Sequence, residues 1–180
     1  MLNAPKNNYI EGISKGVFMI RKAKYEDKEQ IVRLFKQLHR YHCKIAPHKH
    51  IMPRENFFSE RISQAEADGN SVILVNDDNN SINAYALFRI IETGAEEKPP
   101  RKVCFIDCIG VEESTRRKGI GKTLFEGFKT YARKAGCNAV QLSVDAENKD
   151  AREFYKKMGL LPRSIILAGD IQTEPEQPSN

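Results

Sequence analysis

Apolar residues recur along the chain with two different periods, and the changes of period divide it into alternating elements. Residues 17–21 read as a short strand. Ile31, Leu34, Phe35, Leu38 and His42 then share one face of a helix, opened by Asp27 and Gln30 at capping-box spacing. A second helix points Phe57, Phe58, Ile62 and Ala65 inward, with Pro53 suited to its first turn and Gly69 just past its end. Residues 71–75 and 82–91, separated by a turn at 76–80, predict a hairpin. The segment 92–102 is polar, contains Pro99 and Pro100, and reads as a connection. It leads into an apolar, β-branched run at 103–111, the mark of a buried strand. Helical spacing returns in Ile120, Leu124, Phe128, Tyr131 and Ala135, and Gly136 stops it.

Further on, Val140, Leu142 and Val144 alternate with Gln141 and Ser143, which predicts another strand. A helix follows from about Lys149 to Met158, capped by Asn148 or Asp150 and ended by Gly159. A last strand is predicted near 163–168. Helices between strands, with a hairpin leading in, predict an α/β fold: a mixed sheet covered by helices on both faces. Residues 1–16 and 169–180 lack periodicity and are expected to be tails flanking one domain at 17–168.

Composition narrows the class. A chain of 180 residues with 40% hydrophobic and 29% charged residues suits one soluble domain with its own core. The longest apolar runs, 72–75 and 165–168, are far too short to cross a bilayer, so no membrane partner is expected. No basic-plus-apolar leader pattern opens the chain, which predicts a cytoplasmic protein. Cys43, Cys104, Cys108 and Cys137 form no C-x-x-C pair and read as reduced thiols. Cys104 and Cys108, on one strand, would stand roughly 13 Å apart, too far to bridge.

The net charge of +5 raises nucleic acid as a partner, but much of the excess is local. It gathers at Arg116, Arg117, Lys118 and Lys122, and again at Lys149, Arg152, Lys156 and Lys157. No basic strand interleaved with aromatics and no recognition-helix pattern accompanies it, so nucleic acid is not the expected partner.

The first of those clusters sits where chemistry is expected. A buried strand, then a basic glycine loop, then a helix N-terminus is an arrangement that presents unpaired amides to a phosphate. Register excludes two familiar forms. A P-loop ending in Gly121-Lys122-Thr123 would need its first glycine at Arg116, and a dinucleotide fingerprint would need one at Leu124. The pattern present is R-x-x-G-x-G: Arg116, Gly119 and Gly121. Gly110, near the end of the strand, predicts a bulge or close backbone approach by a ligand.

That loop resembles the acetyl-CoA loop of the GNAT N-acetyltransferase superfamily. A second segment, Asn148-x-x-Ala151-x-x-Phe154-Tyr155-x-x-x-Gly159-Leu160, resembles the stretch that follows the fifth strand in the same family. The resemblance covers about residues 18–168 and implies a strongly twisted mixed sheet of about six to seven strands, splayed between the fourth and fifth. It implies acetyl-CoA as co-substrate, with pantetheine along Cys108, Ile109, Gly110 and Val111. It implies pyrophosphate on the loop of Arg116, Arg117, Lys118, Gly119, Ile120, Gly121 and Lys122. Asn148 joins the cofactor set by the same resemblance, and its local pattern equally suits a helix cap.

The implied reaction is direct acetyl transfer to a primary amine, of a small molecule or a protein. A lysine-like amine costs about 4.6 kcal/mol to deprotonate at pH 7 and an α-amine about 1.4 kcal/mol, so a proton acceptor is useful. Asp107 aligns with a position often held by glutamate in the family, and is expected to hold a water or orient the ammonium; a surface carboxylate is the alternative. Tyr155 is the expected general acid toward the departing thiolate, and a core residue with its hydroxyl at the rim is the alternative. A backbone N–H freed by a bulge near Ile109 and Gly110 would meet the oxyanion. His39, His42, Cys43, His48 and His50 cluster without a tight ligand pattern, so they read as a solvated helix end or an acceptor-site wall and no metal is expected. The family ends in a hairpin, whereas here one terminal strand is visible; a second would come from the tail or from a partner chain, which opens the way to a homodimer. The rival reading is a non-catalytic CoA-sensing or protein-interaction module on the same fold.

Overall fold

A computed structural model describes residues 13–15 and 18–169. Among them, strands β1 (Ile13–Lys15), β2 (Phe18–Lys22), β3 (Ser71–Asp78), β4 (Ser81–Ala95), β5 (Lys98–Val111) and β6 (Ala139–Leu142) form one sheet in sequence order. The first five run antiparallel and β6 joins β5 in parallel, so the sheet is mixed. Helices α1 (Lys28–Ile45) and α2 (Phe57–Ala67) cover one face. Helices α3 (Ile120–Lys134) and α4 (Lys149–Lys157) cover the other. The expected α/β fold is therefore present, with its sheet of six strands.

Alternation along the strands decides which side chains go to which face. On β4, Ala84, Ala86 and Phe88 pack with Leu124, Phe125, Phe128 and Tyr131 of α3, while Tyr85 and Leu87 pack with Ile31 and Leu34 of α1. On β5, Cys104 and Ile106 face α3, and so do Ile109 and Val111, which breaks the parity of two. The cause is a β-bulge: Phe88 pairs with Ile106 and Leu87 with Cys108, leaving Asp107 as the extra residue. Without it, Ile109 and Val111 would turn toward α1.

Several expected boundaries move. The segment 92–102 is the tip of a long hairpin, with Ala95 paired to Lys98 and the prolines inside β5. Pro99 and Pro100 are tolerated because β6 begins to pair only at Val103, so their missing N–H groups face no ladder on that side. The turn between β3 and β4 shrinks to Asn79 and Asn80, both left-handed, at φ 52° and 68°. Pro53 lies outside α2, because the preceding loop is held by ion pairs to the far side of the sheet and the chain becomes helical only at Phe57. The strand expected near 163–168 is not formed. Ile165, Ile166 and Leu167 are 81%, 91% and 90% exposed, since β-branched residues make no strand without a ladder to join. Residues 13–15, inside the expected N-terminal tail, instead form β1; most of that tail, and nearly all of the C-terminal one, lie outside the described residues.

The capping box expected at Asp27 is also absent, for a specific reason. Its carboxylate accepts two hydrogen bonds from Arg21, at 2.6 and 2.9 Å, and one from the Lys24 amide at 2.7 Å. Arg21 also donates to Asp77 at 2.8 Å. Gln30 in turn accepts from the Ile82 amide at 2.9 Å. These bonds pin the start of α1 to β2, β3 and β4.

Burial alone would raise the Asp27 carboxyl, but the Arg21 hydrogen bonds and then the Lys24 amide hold it below its ordinary 3.8. A depressed folded value gives stability that is complete above the unfolded value and is lost as pH falls through the folded one. Asp27→Asn should therefore cost about 1.5–3 kcal/mol at pH 7, the range for hydrogen bonds to charged groups. Urea denaturation at a series of pH values should show the gap between variant and wild type closing below about pH 4. A gap that stays constant down to pH 2 would show that the pair does not carry this stability.

Candidate active site

The site is organised by where β6 stops following β5. Val103 to Ile106 pair with Ala139 to Leu142, and no pairing continues past the Ile106–Leu142 position. From Asp107 to Val111 the β5 backbone has β4 on one side and an opening on the other. The open amides expected near Ile109 and Gly110 thus arise because β6 ends, not from a bulge there: the ladder with β4 runs unbroken through Ile109, Gly110 and Val111, and the bulge lies at Asp107.

Gly110 has a packing reason of its own. A Cβ built on it would lie 2.3 Å from Cε1 of Tyr85, so the Tyr85 ring occupies the space a side chain would need. Tyr85 is fully buried, and its hydroxyl has no hydrogen-bond partner among the described residues. It faces the Cys108 thiol, and burial chiefly, with that thiol second, pushes its phenol well above the usual range. Burial pushes the Cys108 thiol up to about 11.

After β5 the chain makes a 3₁₀ turn (Glu113–Thr115) and enters the basic loop. Arg117 is left-handed at φ 64° and Gly119 at φ 87°, and Gly119 is the N-cap of α3 with no side chain to cap the helix. The first-turn amides are thereby left without a side-chain partner, in a concave loop with no acidic residue in the turn. Arg116, Arg117, Lys118 and Lys122 are all exposed around it. Gly121 is forced neither by conformation nor by crowding: a Cβ there would make only ordinary contacts, 3.5 Å to Phe154 and 3.7 Å to Val111.

On the other bank, Asn148 is buried and caps α4 by accepting from the Ala151 amide at 3.1 Å. Tyr155, two turns along, packs on Phe125 and Phe154 with ring centroids 6.5 and 5.2 Å apart. Burial, and then the Cys108 thiol, push its phenol well above the usual tyrosine range. Tyr155 packs against the same cluster as Ile109 and Val111, the β5 residues that lie beyond the end of the β6 pairing. Asp107 is bound elsewhere: its Oδ1 accepts from Arg89 Nε at 3.2 Å, and Arg89 lies over the Phe105 ring at 5.1 Å.

Helix α1 closes the arrangement, and several of its contributions had no local signal. Gln37 donates to the Val111 carbonyl at 3.0 Å, which also accepts from Arg116 at 3.2 Å. Arg33 pairs with Glu112. One turn beyond Gln37, Tyr41 donates to Asp150 at 3.5 Å and carries the Arg116 guanidinium 5.8 Å from its ring centre. The loop after α1 then crosses to the β6–α4 connection. Lys49 meets Glu147 at 2.9 Å and Asp145 at 3.5 Å, and His50 Nε2 meets Asp145 at 2.7 Å. His39 uses its Nε2 on the Ile51 carbonyl at 2.8 Å. Among the described residues no group of three or more potential ligands could hold a metal ion, and no helix is long and apolar enough to cross a membrane.

Comparison with known proteins agrees with this geometry. The description of the acetyltransferase (GNAT) family matches residues 30–160. An uncharacterized N-acetyltransferase of Methanocaldococcus jannaschii is 39% identical over 66 residues, 37% of this chain and 29% of that protein. The matches to curated relatives span only 22% to 37% of those proteins' lengths. The crystal structure of a mutant of the BH1408 protein from Bacillus halodurans superposes with a TM-score of 0.79 at 26% identity, covering 85% of this chain and 99% of that one. The aminoglycoside N-acetyltransferase AAC(6')-Iy, in complex with a CoA-containing bisubstrate analogue, superposes with a TM-score of 0.68 at 16% identity, covering 88% of this chain and 100% of that one.

The contact between Tyr85 and Gly110 can be tested apart from any ligand. Gly110→Ala should destabilise the protein by about 1–3 kcal/mol through overpacking. Tyr85→Leu, which clears the ring, should make the same glycine change much less costly, so the two should couple strongly in a double-mutant cycle read by urea denaturation. Additive costs would show that the ring does not exclude a side chain at 110.

Proposed function

The chain belongs to the acetyltransferase (GNAT) family, and from that membership we propose that it moves an acetyl group from acetyl-CoA to a primary amine by direct transfer. The observation that carries the reading is the opening beyond Ile106, with an uncapped helix N-terminus on one side and the half-buried Tyr155 phenol nearby. A long thiol cofactor with a pyrophosphate and a reactive sulfur fits such a slot. The bisubstrate complex of the structural neighbour supports CoA as the ligand class and an amine as the acceptor.

In this reading the pantetheine arm lies along Ile109, Gly110 and Val111, beside the backbone that β6 leaves open. The pyrophosphate rests on the amides of Arg117 to Lys122, with Arg116, Arg117, Lys118 and Lys122 supplying positive charge. Asn148 serves the site by starting α4, which carries Tyr155 to the opening. Acetyl-CoA supplies the thioester, and the chain's own residues orient it, exclude water and manage protons. Tyr155 protonates the sulfur as the C–S bond breaks. A phenol raised by burial is a weaker acid than one in water, but the same burial raises the proton affinity of a thiolate released beside it. Asp107 is not a base here, because its carboxylate is held by Arg89.

Thiol release from acetyl-CoA across a panel of small-molecule and peptide amines tests the reaction. CoA binding without turnover on any amine would leave a CoA-binding module. Gly121→Asp tests the cofactor site: the fold has room for a side chain there, so stability should hold while calorimetry shows a large loss of CoA affinity. Unchanged affinity would remove the site assignment. Tyr155→Phe keeps the ring and its packing and should lower kcat by about 10²–10⁴-fold, with CoA affinity nearly unchanged. The loss should shrink with an acetyl donor whose leaving thiol is more acidic; a near-wild-type kcat with chemistry rate-limiting would assign the tyrosine to packing.

A further inference from the structure

Acetyl transfer at neutral pH needs a group that takes a proton from the ammonium form of the acceptor, and Asp107 is occupied by Arg89. The structure brings one other set of proton-accepting groups to the opening. Asp145 lies three residues past Leu142, the last β6 residue paired with β5, whose partner is Ile106. It therefore lies on the connection between β6 and α4, beyond the point where β6 leaves β5. His50 Nε2 is 2.7 Å from its Oδ2. The His42 ring lies 5.3 Å from the His50 ring, centre to centre. His42 is also one helical turn beyond Leu38, which packs with Tyr85 and Cys108 on the same face of the sheet. Ile109 and Val111, which flank Gly110 on β5, pack on the opposite face in one cluster with Tyr155. The helix that carries His42 and the helix that carries Tyr155 thus flank the end of β5 from opposite faces.

From this juxtaposition, and resting on the transfer reaction proposed above, we infer that His42 is the base that takes the acceptor amine's proton, with His50 held beside it by Asp145. The ammonium gives one proton to a His42 ring nitrogen. The freed lone pair attacks the acetyl carbon, the C–N bond forms, and the C–S bond breaks. The second nitrogen proton leaves the tetrahedral adduct and replaces the one that Tyr155 gives to the departing thiolate. One proton per turnover leaves the protein by way of His42 and the half-buried His50.

The groups facing His42 come from three elements: His39 and Tyr41 on its own helix, His50 on the following loop, and Asp145 on the β6–α4 connection. Burial chiefly, and His50 next, lower the His42 imidazole below its ordinary 6.5, while Asp145 opposes them. His42 is therefore neutral at pH 7 and able to accept. Asp145 and Glu147 are held below the usual carboxylate range, first by His50 and by Lys49 respectively, and cannot take this role.

The test is the pH dependence of kcat/KM with two probe acceptors, a peptide offering an α-amine and one offering a lysine ε-amine. Wild type should show an acid limb that marks protonation of His42. His42→Gln should lower kcat/KM by about 10²–10⁴-fold and remove that limb, more severely for the ε-amine. Asp145→Asn leaves the His42 packing intact and keeps the test open should His42→Gln not fold. Removing the carboxylate that favours the imidazolium should move the limb to lower pH, a shift that a merely structural role would not produce. Turnover with an unmoved limb in Asp145→Asn, or an unchanged profile in His42→Gln, overturns this inference and leaves the proposed reaction standing. Absence of thiol release by wild type with every amine overturns both.

Discussion

A short parallel ladder, Val103 to Ile106 against Ala139 to Leu142, is the contact on which the rest of the site depends. Because it ends, the last turns of β5 keep a free edge inside an otherwise covered sheet. Exposed backbone of this kind is a cost that folds normally remove by pairing or covering the edge. Here the gap is instead bordered by the Tyr155 helix on one face and by α1 on the other. A longer β6 would satisfy the edge and close the opening that gives the site its shape.

The bulge at Asp107 is the second device, and it acts through parity. By inserting one residue, β5 turns Ile109 and Val111 to the same face as Cys104 and Ile106, so that α3 packs against the strand on both sides of the irregularity. Cys108 and Gly110 turn to the α1 face, where Tyr85 fills the space above Gly110. The Tyr85 hydroxyl, without a hydrogen-bond partner among the described residues, marks the same place as one where good hydrogen bonding gave way to shape. Packing and site geometry are set by the same few residues.

The loop after α1 completes the frame with charge. Lys49 and His50 reach Asp145 and Glu147 across the gap. These pairs are partly exposed and each contributes little to stability. Their effect is positional: they tie the loop after α1 to the β6–α4 connection.

The sequence by itself determined the elements whose signals are local. The periodicity of α1 and α3, the cap and glycine stop of α4, the glycine stop at Gly136, the β3–β4 hairpin, the alternation in β6 and the basic glycine loop were legible because each depends on residues near one another in the chain. The two motifs on which the family resemblance rested were legible for the same reason. What depended on partners distant in sequence was not. Asp27 lost its capping role to Arg21, and the run at 163–168 formed no strand because nothing offered it a ladder. Gly110 answered to Tyr85, and Asp107 to Arg89. Asp145, which no motif marked, met His50 only because α1 crosses the end of the sheet. Hydrogen bonds, ion pairs and close packing act over a few ångströms, and only the tertiary fold decides which residues far apart in the chain come within that distance.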